Sequence, residues 1–181
     1  MRIIASLILA AATLAAAGCG SSGVAATVGD DTITIAALQS EVVAFAESVD
    51  QESALSGDLS QFQRELLTRE INHLLLAELA EREGAAFTEA DVDALLDELE
   101  EQSGGDLEAL QAQFGYTEEG LRRAVEDEAR LRALQPIVGD VPAALNDLSD
   151  EVGVELNPRY GDWDGLAVQP GTGSISVPAG G

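Results

Sequence analysis

The stretch SQFQRELLTREINHLLLAELAERE, residues 60–83, decides the fold. Phe62, Leu66, Leu67, Ile71, Leu74, Leu75 and Leu79 recur at helical spacing and make a wide apolar stripe. A helix so striped is expected at the centre of a core, with Gly84 as its stop. His73, the only histidine, falls between Asn72 and Leu74, off the main stripe. A lone histidine there reads as a boundary residue rather than a ligand.

Downstream, two helix-start signals are near copies of each other. In Phe87-Thr88-Glu89-Ala90-Asp91-Val92, Thr88 suits an N-cap, Asp91 the third helical position, and Phe87 with Val92 a hydrophobic staple. Tyr116-Thr117-Glu118-Glu119-Gly120-Leu121 repeats the cap and the staple, and both sets of acids suit the positive end of a helix dipole. The first signal predicts a helix with Val92, Leu95, Leu96 and Leu99 inward, closed by Gly104-Gly105. A short helix with Leu107, Leu110 and Phe114 follows, and the aromatics of this region are expected to be core rather than a binding box. The second predicts a helix with Leu121, Ala124, Val125, Leu131 and Leu134 inward and Pro136 as its stop. A weaker helical pattern runs from Val141 to Glu151.

The outer segments are short and β-prone. Val24 to Ile35, with Gly29-Asp30-Asp31 in the middle, reads as a strand reaching a tight turn. Thr34 then caps a helix carrying Leu38, Val42, Phe45, Ala46 and Val49 on one face, ended by Gly57. Val154-Glu155-Leu156 reads as a strand ending at Asn157-Pro158, and we expect it to pair with Ala26-Val28, closing the domain end to end. Arg159 is expected to pair with an acid, and Tyr160 and Trp163 to pack the domain edge. Residues 165–181 are rich in Gly, Pro and Ser and are expected to be disordered.

The N-terminus has a different character. Arg2 precedes an uncharged apolar run, Ile3 to Leu14, followed by small residues, the outline of a secretory signal peptide over residues 1–18. The run is shorter than the roughly 20 residues that span a bilayer. Leu14-Ala15-Ala16-Ala17-Gly18-Cys19 resembles the lipobox of bacterial lipoproteins, which implies cleavage before Cys19 and lipidation of its thiol. The other readings of Cys19 are a spare thiol in an ordinary secreted protein and a nucleophile, but a nucleophile needs a base nearby. The chain holds one cysteine, so disulfides cannot stabilise it within one copy. Residues 19–25 are expected to form a lipidated tether, and residues 26–164 one domain.

Charge excludes other classes. Nine basic residues, all arginine, stand against 33 acids, for a formal net charge of −24, and loss of Arg2 with the leader makes it more negative. Such a surface repels nucleic acid and anionic headgroups, so membrane contact must come through a lipid.

The order of these pieces is similar to the N-terminal chaperone module of SurA-type and PrsA-type proteins. The strand-turn Ala26 to Ile33, the helix around Glu70-Ile71-Asn72-His73-Leu74, the Phe87 to Val92 cap and Phe114-Gly115-Tyr116-Thr117-Glu118 carry the resemblance. Val154 to Asp164 resembles the endpiece of actinobacterial lipoprotein members. The resemblance implies a mainly α fold: a multi-helix SurA-N-like domain closed by a small two-stranded β element from its two ends. It further implies a chaperone or foldase-like protein that binds unfolded or partly folded exported clients at the extracytoplasmic membrane face. The stretch beyond Gln135 is too short for the parvulin isomerase domain of many members, so isomerase activity is not expected. No catalytic, cofactor or metal residues are expected, and the client-contacting residues are not legible.

Two other functions compete. Acid pairs such as Asp91 with Asp93, or Glu100 with Glu101, suggest acid-base chemistry, but residues so spaced do not share a helix face. A non-catalytic adaptor or scaffold lipoprotein with one dedicated partner is the remaining alternative.

Overall fold

A computed structural model describes residues 23–48 and 59–171. The chain enters through β1 (Val24–Val28), turns at Gly29-Asp30 and returns as β2 (Asp31–Thr34). Gly29 has φ +57°, which the tight turn requires. Thr34 Oγ1 accepts from Ala37 N–H at 3.1 Å and so caps α1 (Ile35–Ser48), as expected. The expected position of Val49 and the Gly57 stop lie outside the described residues.

α2 (Leu59–Glu83) is the axis of the molecule. Leu67, Ile71 and Leu75 have no solvent exposure, and Leu66, Leu76, Leu79 and Ala80 are also buried. α3 (Glu89–Gln102), α4 (Leu107–Phe114), α5 (Glu118–Val138) and α6 (Val141–Val152) follow. The reciprocal cap at Thr88 and Asp91 is present, and Thr117 Oγ1 accepts from Gly120 N–H at 3.0 Å. Asp106 and Asp140 cap α4 and α6 in the same way. The chain is mainly helical, with six helices among the described residues.

β3 (Val154–Leu156) pairs antiparallel with β1, setting Ala26 opposite Leu156 and Val28 opposite Val154. The closure is therefore the one expected, but the sheet has three strands, ordered β2-β1-β3, because the turn hairpin adds its own return strand. Asn157 reinforces the join: its N–H donates to the Ala25 carbonyl and its side-chain amide to the Val24 carbonyl.

Two cores result. The larger joins the sheet, α2, α6 and the C-terminal half of α5; the smaller joins Val92, Val125 and Ala129 with Phe87, Leu95, Leu96 and Leu99. α5 therefore belongs to both, with its first half gripping α3 as an arm and its second half lying in the body.

Three expectations are corrected. Pro136 does not stop α5, which continues to Val138 and is capped by Gly139. A proline so near the end forfeits one backbone bond, and fully buried Leu134 with half-buried Val138 holds the last turn in place. Phe114 is not inward but 51% exposed, and α4 has no buried residue at all. The chain from Gly165 to Gly171 is ordered rather than disordered. β4 (Asp162–Trp163) and β5 (Val168–Gln169) form a hook over α2, with Val168 buried and its N–H donating to Thr68 Oγ1 at 2.9 Å. Residues 172–181 of the expected disordered tail lie outside the described residues. At the same edge Tyr160 is buried, the Trp163 indole donates to Ser149 Oγ at 3.0 Å, and the Arg159 guanidinium sits over the Tyr160 ring.

Candidate functional site

α1, α3, α4 and the start of α5 enclose an open groove of about 1040 Å³. It forms because α3 packs chiefly on α5, as an arm, while α4 buries no side chain of its own. Its apolar lining comes from Ala44 of α1, Leu96 of α3, Leu107 and Ala112 of α4, and Leu121 of α5. Glu41, Glu100, Glu108, Glu118 and Glu119 surround these, with Arg122 as the single cation. The Arg122 guanidinium is held by Glu89 at 2.6 Å and Glu126 at 3.6 Å.

The wall made by α4 is fastened at its C-terminal end. Arg69 donates to the carbonyls of Phe114 and Gly115, at 2.7 and 3.1 Å, and its guanidinium lies 4.4 Å from the centre of the Tyr116 ring. Gly115 packs so closely that an added Cβ would lie 2.9 Å from Phe62 Cε2. The glycines Gly104 and Gly105 before α4, and Gly115 after it, all have positive φ.

A smaller cavity of about 220 Å³ lies in the seam between α2 and α5. Two of its acids, Glu70 and Asp127, are matched by cations. Arg123 Nη1 is 2.5 Å from Glu70 Oε1, and Asp127 Oδ1 receives Arg130 Nη1 at 2.6 Å with His73 Nδ1 at 2.9 Å. Burial works against the Arg123 charge, but the Glu70 carboxylate, with smaller contributions from Glu41 and Glu119, raises its pKa further. His73 is thus a half-buried partner in an ion-pair seam, a position consistent with the boundary residue expected.

The acid pairs considered for catalysis are not brought together as acid and base. Asp91 is engaged by the Thr88 hydroxyl and backbone N–H, which hold its carboxyl below its ordinary 3.8. Asp93, Glu100 and Glu101 are exposed on α3. Among the described residues, no group of three or more His, Cys, Asp or Glu side chains is placed to hold a metal ion, and no helix is long and apolar enough to cross a membrane. Cys19, the expected lipidation site, lies outside the described residues. The groove residues had no signature of their own in the sequence: Leu96, Leu107 and Leu121 read as core leucines, and only the shortness of α4 between paired and single glycines hinted that its face stays open.

No family model, curated protein or solved structure matches the chain.

Proposed function

We propose that this chain is a lipid-anchored chaperone of the extracytoplasmic membrane face, resembling the SurA- and PrsA-type N-terminal module, which holds unfolded exported clients. The observation that carries the reading is the open, apolar-lined groove between α1, α3, α4 and α5. A holdase needs exposed apolar surface with a polar rim, able to accept extended segments without demanding one sequence. A groove of about 1040 Å³ gives room for several side chains. Its α4 wall buries no residue of its own and is fastened at its C-terminal end, so its N-terminal part is the piece that adjusts to different occupants. The leader and lipobox supply the location, with Cys19 as the anchor.

The test is suppression of aggregation. The lipidated protein, carried in phosphatidylcholine vesicles, is titrated into an aggregating unfolded client while light scattering is followed. Suppression near stoichiometric ratios is expected, and none across several unrelated clients would sink the chaperone reading in favour of a dedicated adaptor. The anchor is tested separately in cells that process lipoproteins: wild type should sediment with membranes and Cys19→Ala should not, whereas membrane retention of the variant would overturn the assignment.

A further inference from the structure

We infer that the groove selects client segments in which arginine or lysine alternates with apolar side chains. The inference rests on the groove reading above and goes on to name the chemistry of the occupant. It comes from a contrast between two sites in the same molecule. In the α2–α5 seam Glu70 has Arg123, and Asp127 has Arg130 and His73, while Glu41, which lines both sites, has no ion-pair partner among the described residues. In the groove the other acids are less well matched. Glu100, Glu108 and Glu118 have no ion-pair partner among the described residues, and Glu119 reaches Arg123 only at 3.5 Å. The one arginine in the lining is already held by Glu89 and Glu126.

The N-termini of α4 and α5 offset about half a unit of charge each, less than these acids carry. A site with apolar walls and an uncompensated negative rim favours an occupant with the opposite arrangement. Apolar side chains of an extended segment would enter toward Leu96, Leu107 and Leu121, while its intervening cations meet the glutamates. Period-two alternation of an extended chain presents the two kinds of side chain on opposite sides. Acidic segments would be repelled, which also keeps this strongly acidic chain from occupying its own groove.

The experiment compares two synthetic peptides, one alternating leucine with arginine and the other leucine with glutamate. Each is fluorescently labelled and titrated with the full lipidated protein in phosphatidylcholine vesicles, against protein-free vesicles. The arginine peptide is expected to bind and the glutamate peptide not, with the preference fading as salt shortens the screening length from about 10 Å at 0.1 M to about 3 Å at 1 M. The triple variant Glu100→Gln, Glu108→Gln, Glu118→Gln should weaken the arginine peptide roughly tenfold, as three exposed ion pairs would. Asp147→Gln with Asp150→Gln, on α6 away from the groove, should leave binding unchanged. Equal binding of both peptides would overturn the charge selection and leave the holdase reading standing. Binding of neither would overturn both, and losses in the groove and α6 variants in proportion to the three and two charges removed would overturn the site in favour of net charge alone.

Discussion

Replacing Gly161 by alanine tests the hook that β4 and β5 lay over α2. Gly161 has φ +128°, a region that costs a residue with a side chain about 1–3 kcal/mol. An added Cβ would also overlap the carbonyl oxygen of Gln169, and because that atom is backbone, no side-chain rotation relieves it. The chain escapes by letting β5 lift, and the cost of lifting sets the ceiling on the effect. Val168, 6% exposed in the native state, would lose burial that contributes about 1.5–2 kcal/mol. Its hydrogen bond to Thr68 Oγ1 contributes about 1 kcal/mol more. The exposed bonds nearby, such as Asn72 Nδ2 to the Leu166 carbonyl, add little. The expected destabilisation is therefore about 2–3 kcal/mol. Trp163 is the only tryptophan in the chain and sits on β4, so its emission reports the hook while far-ultraviolet circular dichroism reports the helices. In a urea titration the variant should show red-shifted native emission and a lower midpoint by both probes. An unshifted emission maximum together with a stability loss below about 0.5 kcal/mol would refute the reasoning.

Two further outcomes are expected. Gly115→Ala forces a side chain onto φ +68° and toward the Phe62 ring, costing about 1–2 kcal/mol in backbone strain alone; amide exchange in α4 should speed up relative to α2, and unchanged exchange there would count against α4 being fastened at that point. Asp91 has its carboxyl held below the ordinary 3.8, so its ionised cap stabilises the fold above that value and stops doing so as pH falls through the folded-state pKa. Wild type should therefore melt above Asp91→Asn at neutral pH, with the gap closing as pH falls below the ordinary carboxylate range; a gap unchanged through that fall would contradict the charged cap.

Much of the helical frame was legible because its signals are local. Thr34, Thr88 and Thr117 cap helices with side chains only three residues from the N–H groups they accept, and the α2 stripe needs no knowledge of its neighbours. The β1–β3 pairing was also legible, since two short β-prone segments at opposite ends of a helical chain each need a partner. The failures share a different cause. Pro136 breaks a local rule that the packing of Leu134 and Val138 overrides. Gly165 to Gln169 reads as tail by composition, yet Val168 finds Thr68 and the core across a long stretch of sequence. The groove could not be read at all: Leu121 lines it and is also buried, Leu96 lines it and packs the smaller core, and the pattern of either leucine alone is that of an interior residue. Whether a glutamate is matched by an arginine likewise depends on which helices meet.

The central place of β1 in its sheet has a consequence for how the molecule is made. One partner, β2, comes immediately after a turn, and the other, β3, only after the six helices of the described residues. A chain made from its N-terminus can form the hairpin early but must wait for its closing strand, and pairings between distant segments are the slow ones. Until then β1 presents a bare edge to any strand nearby. Crowding by sister chains during synthesis thus offers β1 a rival partner, and exchange of β3 between two copies is the misassembly that this strand order invites.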